Sequence, residues 1–443
     1  MSPGRRRRRL VPPLLRERTF RRYWTGQTIS LFGDQVSVLA LPLAAILVLH
    51  AGAAQTGYLT AVGLAPSLLF SIPAGSWVDR AGHRRRVMLG ADLARALLLA
   101  TVPITYFAGV LTFAQLYAVA FGVGSASVLF SVAQSTVFAS IVTPPQYVDA
   151  NSLIHGSRAM SFVFGQSAGG VLVQVLTAPG AIVIDAVSYL GSALFLSRIH
   201  PEEPPTAAAG AGHITEGARF IWRSPVIRAL LCATATINVF SFAVTAIFIL
   251  FATRQLGVGA AQLGLVLGIG AIGAVIGAIL TSRISRRLGV GGAFTLGCIL
   301  FPAPAILLPV AAGLSKPVIL ALLSVGEFGS GVGVVVLDIT IGAILTAAVP
   351  ETLRARVSGA YSTINYGLRP VGALAGGALG SAIGLRSTLW IATTAACAGV
   401  LWLLPSPIPR MRTLPEQDSL DAPVPAVAAQ SSRSGSKSGP TIS

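Results

Sequence analysis

Four carboxylic acids, Asp34, Asp185, Glu327 and Asp338, lie inside runs of apolar residues. A charge at the centre of a lipid bilayer costs about 2.5–3.5 kcal/mol on insertion scales, so such a group faces a cavity or a partner. An acid reached in turn from two sides can take up a proton and release it. Asp34 sits near the middle of its run and is either such a carrier or a buried acid fixed by an arginine such as Arg158. Glu327 and Asp338 are eleven residues apart. On one helix they differ by about 20° in direction and by roughly 16 Å along the axis, so they share a face. That suits a cation or proton path, and equally two unrelated salt bridges. Asp185 lies close to one end of its run, and its spacing favours neither role. Asp92 and Arg95, at i and i+3, can pair within one helix. Arg158 and Arg369 can neutralise these acids or attract an anionic substrate.

Other chemistries lack their residues. There is no Gly-x-x-x-x-Gly-Lys-Ser/Thr phosphate loop, which argues against ATP-driven work by this chain. The five histidines show no His-Glu-x-x-His spacing, and Cys232, Cys298 and Cys397 show no metal-ligand spacing. No polar catalytic cluster assembles near one interface. The expectation is a protein that is not an enzyme, with no metal and no cofactor.

The elements that hold the acids follow from composition. Of 443 residues, 53% are hydrophobic and only 11% are charged, against about 25% charged in a soluble domain. The apolar residues come in blocks near the ~20 residues that cross a bilayer as a helix. The chain therefore reads as an all-α polytopic membrane protein. About twelve spans are expected, at 23–48, 57–78, 87–108, 112–142, 153–178, 180–198, 226–252, 260–283, 290–312, 316–348, 357–384 and 387–404. The basic start, "RRRRRLVPPLLRERTFRR", has no apolar region of its own, so the first span acts as an uncleaved signal anchor. The net charge of +17 does not point to nucleic acid, because the basic residues fall between apolar blocks.

The arginines orient the spans. With both termini in the cytoplasm, the basic arm, the 80–86 cluster and Arg198, Arg219, Arg223, Arg228, Arg283, Arg286, Arg287, Arg354 and Arg356 all stay inside. The outer loops keep Arg254, Lys316 and Arg386. The expected organisation is a basic arm (1–22), a six-helix bundle (23–198), a cytoplasmic linker (199–225), a second six-helix bundle (226–405) and a disordered tail (406–443). Within the linker, "ITEGARFIWR" suits a short amphipathic helix on the membrane surface.

The bundles carry an internal echo. "GQSAGG", with Gly165, Gly169 and Gly170, matches "GALAGG", with Gly372, Gly376 and Gly377, at a similar place in each half. "GSWVDRAGHRRR" from residue 75 has a weaker echo in "GAILTSRISRRL" from residue 277. Duplicated halves are a common transporter plan, with the substrate site between them. The spaced glycines let helices approach closely. Individual aromatics such as Phe130, Phe162, Phe240, Phe242 and Tyr361 read as packing residues.

The loop that contains Gly75, Asp79, Arg80, Gly82, Arg84 and Arg85 resembles the loop between the second and third helices of the major facilitator superfamily, Gly-x-x-x-Asp-Arg/Lys-x-Gly-Arg-Arg/Lys. His83 is the departure in it. The stretch "GQTISLFGDQVSVLALPLA" resembles the drug–proton antiporter branch that includes macrolide-type and siderophore exporters. The antiporter motif Gly-Pro-x-x-Gly-Gly has Gln166 in place of its proline, and the fourth span lacks the Arg-x-x-Gln-Gly motif of many such antiporters. The resemblance covers about residues 20–405 in layout. It implies the major facilitator fold, alternating access, and a gating role for the Asp79 loop. From the residues alone, Asp79 reads as a group at a tight turn at Val78–Asp79. There it accepts hydrogen bonds from a helix N-terminus or pairs with an arginine.

Together these readings give an expected function. It is proton-coupled efflux of amphipathic small molecules, such as drugs, antibiotics or natural products, driven by the proton gradient. A siderophore or metabolite exporter, an importer and a non-transporting sensor are the alternatives. The expected setting is a monomer in a bacterial inner membrane, with lipid and a small-molecule substrate as its partners and no nucleic acid.

Overall fold

A computed structural model of the chain describes residues 13–200 and 214–413; the side chains of residues 13, 71, 72, 76, 79, 81, 214, 215 and 355 are not described. Backbone polar groups in hydrocarbon must be satisfied within the segment, so an apolar run crosses as a helix. The first half contains α1 (Arg18–Leu47), α2 (Ala53–Ala81), α3 (Arg84–Phe107) and α4 (Phe113–Ile141). It continues with α5 (Tyr147–Met160), which passes through a π turn at Ser161–Gly165 into α6 (Gln166–Leu176), and ends with α7 (Ala178–Ser197). After α8 (Ile214–Arg223) come α9 (Pro225–Arg254), α10 (Ala260–Leu300), a single turn α11 (Leu307–Val310), α12 (Lys316–Ala348), α13 (Glu351–Ala382) and α14 (Leu385–Cys397). There is no strand among the described residues. Eight of the described helical runs are long and apolar enough to cross a membrane by length and composition. One of them, Ala260–Val310, contains two passes.

That double pass turns at Gly289, where φ 79° and ψ 166° interrupt α10. This conformation is open essentially to glycine alone. Gly291, two residues on, seats the segment around Ile408 and Met411. The Gly291 N–H donates to the Met411 carbonyl at 3.0 Å, and a Cβ on Gly291 would lie 2.8 Å from the Ile408 carbonyl carbon. Ile408 is fully buried. The tail expected to be free from residue 406 is therefore anchored up to residue 413; the rest of it, 414–443, lies outside the described residues. Gly291→Ala should displace the Ile408–Arg410 turn at a cost of about 1–3 kcal/mol. Faster tryptic cleavage at Arg410 and Arg412 in detergent would report it.

Three other expectations shift. α1 begins at Arg18, not 23, because Phe20 and Tyr23 are fully buried against the bundle. The turn between α2 and α3 falls at Gly82–His83 and not at Val78–Asp79. α2 continues through Asp79 and Arg80, and Gly82 ends it with φ 65°. Charge alone does not end a helix, whereas a left-handed glycine does. The linker helix α8 rests on protein. Gly217 lies against the backbone of Arg356 and Val357, Glu216 pairs with Arg356, and Ile221 is fully buried. Linker residues 201–213 lie outside the described residues.

The helix ends define two sides. One, here the terminal side, holds the starts of α1 and α9 and the α2–α3 and α12–α13 turns. The other is the far side. On the far side one apolar core runs through both halves, from Leu43, Leu99 and Ile182 to Phe251, Leu263 and Leu323. On the terminal side each half has its own core, around Met88 and Ala133 in the first and around Phe294 and Ile344 in the second. The repeated glycine motif builds this arrangement twice. Gly165 and Gly169 press on Gln35 and Val36 of α1, and Gly170 meets Gly264 of the opposite half. Gly372 and Gly376 press on Val239 and Ala243 of α9, and Gly377 meets Gly57 of the opposite half. A Cβ on Gly57 or Gly170 would lie 2.7 or 2.8 Å from an α-carbon across the interface. On the terminal side, a Cβ on Gly75, Gly156 or Gly359 would meet nothing within 4 Å. The halves are fused on the far side and stand apart at these glycines on the terminal side.

Candidate functional site

The acids of the first half converge. Gly33 brings α1 against α7, since a Cβ there would lie 2.7 Å from the Ser188 Cβ. Across this contact the Tyr189 hydroxyl donates to Asp34, and the Ser37 hydroxyl donates to Asp185. Ser188 adds a hydrogen bond to Asp185 at 3.1 Å. From α3, Arg95 pairs with Asp92, and its guanidinium lies 4.2 Å from the Tyr189 ring centroid and 4.4 Å from that of Phe130. Three carboxyls from three helices thus gather in one region, and Asp92 is the one that pairs with the guanidinium.

Their access differs. Asp92, Asp185 and Arg95 are 0%, 1% and 4% exposed. Asp34 is half-buried and lines a polar cavity of about 150 Å³ with Arg95, Arg158, Gln27 and Gln134. Gln134 donates to Gln27 at 2.9 Å across this space. Arg158 reaches the cavity from α5 but makes no ion pair among the described residues; the partner that fixes Asp34 is Tyr189. Counting Arg158, three carboxyls meet two guanidinium groups, which leaves one carboxyl without a countercharge. A buried charge without a partner is expensive, so this cluster is electrostatically strained unless one carboxyl is neutral.

The second half is arranged otherwise. A cavity of about 580 Å³ opens between α9, α12 and α13, and both Asp338 and Arg369 line it. Arg369 donates through Nε to Asn238 at 3.1 Å, and its guanidinium lies 4.2 Å from the Tyr366 ring and 4.8 Å from the Phe242 ring. Asn238 in turn donates to Asn365 at 2.8 Å. Glu327 does not share this cavity. It borders two smaller ones of about 120 and 230 Å³, the larger also lined by Phe162 and Gln166 from the first half. Glu327 makes no hydrogen bond or ion pair among the described residues. Asp34, Asp92, Arg95 and Asp185 are brought together, while Glu327 and Asp338 point to separate spaces although they share a helix.

In the loop, Arg85 donates to the carbonyls of Ser197 and Ile199, which caps the end of α7. Arg84 is buried at the start of α3. Gly75 and Arg80 lie on the last turns of α2; the gating role expected of Asp79 falls on a side chain outside the described ones. Gln166, in the proline's place, follows the π turn at Ser161–Gly165, an irregularity of the kind that bends helices.

Sequence reasoning missed Tyr189, Ser37, Asn238, Asn365 and Tyr366. A signal for the first two existed. Tyr189 is four residues from Asp185 and Ser37 three from Asp34, the spacings that place side chains on one helix face.

The profile of the Major Facilitator Superfamily matches residues 23–373. The chain belongs to the major facilitator superfamily. Among curated relatives, the multidrug efflux pump Tap of Mycolicibacterium fortuitum is 26% identical over 405 residues, covering 86% of this chain and 93% of its own. The multidrug efflux pump Tap of Mycobacterium bovis (strain BCG / Pasteur 1173P2) is 28% identical over 418 residues, covering 88% and 94%. Among solved structures, a bacterial homologue of the iron transporter ferroportin in an inward-facing state matches with a TM-score of 0.71 at 16% identity, covering 89% of this chain and 99% of that one. The nucleoside transporter NupG matches with a TM-score of 0.72 at 12% identity, covering 87% and 98%. This superfamily member is an all-α, multi-pass membrane transporter and not an enzyme, as the sequence led one to expect.

Proposed function

We propose that this transporter exports amphipathic small molecules of the drug or natural-product class in exchange for protons. It works by alternating access in a bacterial inner membrane as a monomer, with both termini in the cytoplasm. The observation that carries the proton part is Asp34. Of the three clustered carboxyls it alone is open to the polar cavity, while its neighbours are sealed behind it. A carboxyl with one open side and a charged, hydrogen-bonded rear is suited to proton exchange. The large amphipathic cavity of the second half offers the substrate a separate place. Two halves fused on the far side and apart on the terminal side fit a state open to the cytoplasm. The relatives named as multidrug efflux pumps support efflux as the direction.

The test uses energised inside-out vesicles that contain the protein and a pH-sensitive dye, with a panel of lipophilic drugs and siderophores. At least one drug should dissipate the pH gradient beyond control vesicles. A response to siderophores alone would replace the substrate class. Radiolabelled drug flux with no proton movement would overturn the coupling.

A further inference from the structure

The cavity of the second half carries two opposite charges that do not pair. Arg369 is held in place by three contacts. Its Nε is spent on Asn238 at 3.1 Å, and the rings of Tyr366 and Phe242 flank the guanidinium at 4.2 and 4.8 Å. Its two Nη atoms make no hydrogen bond or ion pair among the described residues. That free edge is the fork that matches a carboxylate in a bidentate fashion. Asp338 is exposed into the same cavity and likewise has no hydrogen-bond or ionic partner among the described residues. Tyr361, Tyr366 and Phe242 supply ring surface to the walls. A guanidinium and a carboxylate left apart inside an apolar bundle each lack a countercharge, and such groups are kept where a ligand completes them.

We propose that this cavity selects zwitterionic amphiphiles: molecules with an aromatic body, an anionic oxygen group for Arg369 and an ammonium group for Asp338. The inference rests on reading this cavity as the substrate site. A ligand that bears both charges satisfies both groups. A singly charged ligand leaves one of them unpaired, and a neutral one leaves both. Selectivity then comes from the charge-assisted contacts that only a ligand with both charges makes in full.

The experiment is a charge cycle on purified full-length protein in lipid nanodiscs, with no gradient. The probes are Nα-dansyl-lysine, a zwitterion; its methyl ester, a cation; its Nε-acetyl derivative, an anion; and the doubly blocked neutral form. Dansyl fluorescence reports binding. The zwitterion should bind at least about tenfold more tightly than either singly charged form, one missing charge contact being worth roughly a factor of ten. Arg369→Gln should weaken the zwitterion and the anion about tenfold and leave the cation unchanged. Asp338→Asn should weaken the zwitterion and the cation and leave the anion unchanged. The neutral form serves as the folding control, because its binding should not move. Equal loss for all four probes, or tightest binding of the cation, would overturn the proposal. Protons play no part in this readout, so the two readings fail separately. If the charge pattern is absent while drugs still collapse the pH gradient, the inference falls and the antiport stands. If the pattern holds with no proton movement, the site stands and the antiport falls.

Discussion

Asp34→Asn should reduce substrate-driven proton movement in inside-out vesicles to the level of vesicles without the protein. The amide keeps the size of the carboxyl and can still accept the Tyr189 hydroxyl hydrogen bond. Folding should therefore change by no more than about 1 kcal/mol, the scale of one hydrogen bond. What the variant loses is the group that changes charge at the open side of the cluster. Asp185→Asn is the matched comparison, since Asp185 is 1% exposed and bonded to Ser37 and Ser188 rather than open to the cavity. It should lower the response less than Asp34→Asn does. If Asp34→Asn still couples, the carrier lies elsewhere, and Glu327, with no partner among the described residues, is the next to replace. Binding of the dansyl probes should survive Asp34→Asn, because their cavity lies in the other half.

Arg95→Met should be the most damaging single change to stability. Arg95 is 4% exposed and its partner Asp92 is not exposed at all. Removing the guanidinium leaves a buried carboxylate without a countercharge, which typically costs about 3–5 kcal/mol. It also removes the cation held against the Tyr189 and Phe130 rings, and so one contact of α3 with α7 and one with α4. The expected result is a lowered midpoint of thermal unfolding in detergent and reduced yield in the membrane. The double variant Arg95→Met/Asp92→Asn should recover more than half of the loss, because the carboxylate that Arg95 pairs with is neutralised along with it. A double variant as unstable as the single one would show that the ring contacts, and not the ion pair, hold this region.

Much of the architecture is legible in the one-dimensional pattern because the bilayer reads that pattern directly. Apolar length sets the passes. The "GQSAGG" and "GALAGG" segments announce close helix contacts, and each pair of glycines meets the equivalent helix in its own half before the last one crosses to the other. The Asp92–Arg95 pair follows from helical spacing alone. The turn at Gly82 is written in the sequence by a glycine, since a left-handed residue ends α2 where the charges before it do not.

The candidate site divides along the same line. The sequence by itself determined which residues carry unusual charge inside apolar helices: Asp34, Asp92, Arg95, Asp185, Glu327, Asp338 and Arg369. Hydropathy and helical periodicity are local properties, and a buried charge stands out against them. Only the tertiary structure decided the grouping. It set Asp34, Asp185 and the Asp92–Arg95 pair around Tyr189. It gave Asp338 and Arg369 one cavity without letting them pair, and it turned Glu327 toward other spaces. Such distances depend on how helices far apart in the chain cross, and glycine contacts at Gly33, Gly170 and Gly377 set those crossings. Periodicity within one helix fixes a residue's face; the neighbour that face meets comes from packing across the bundle.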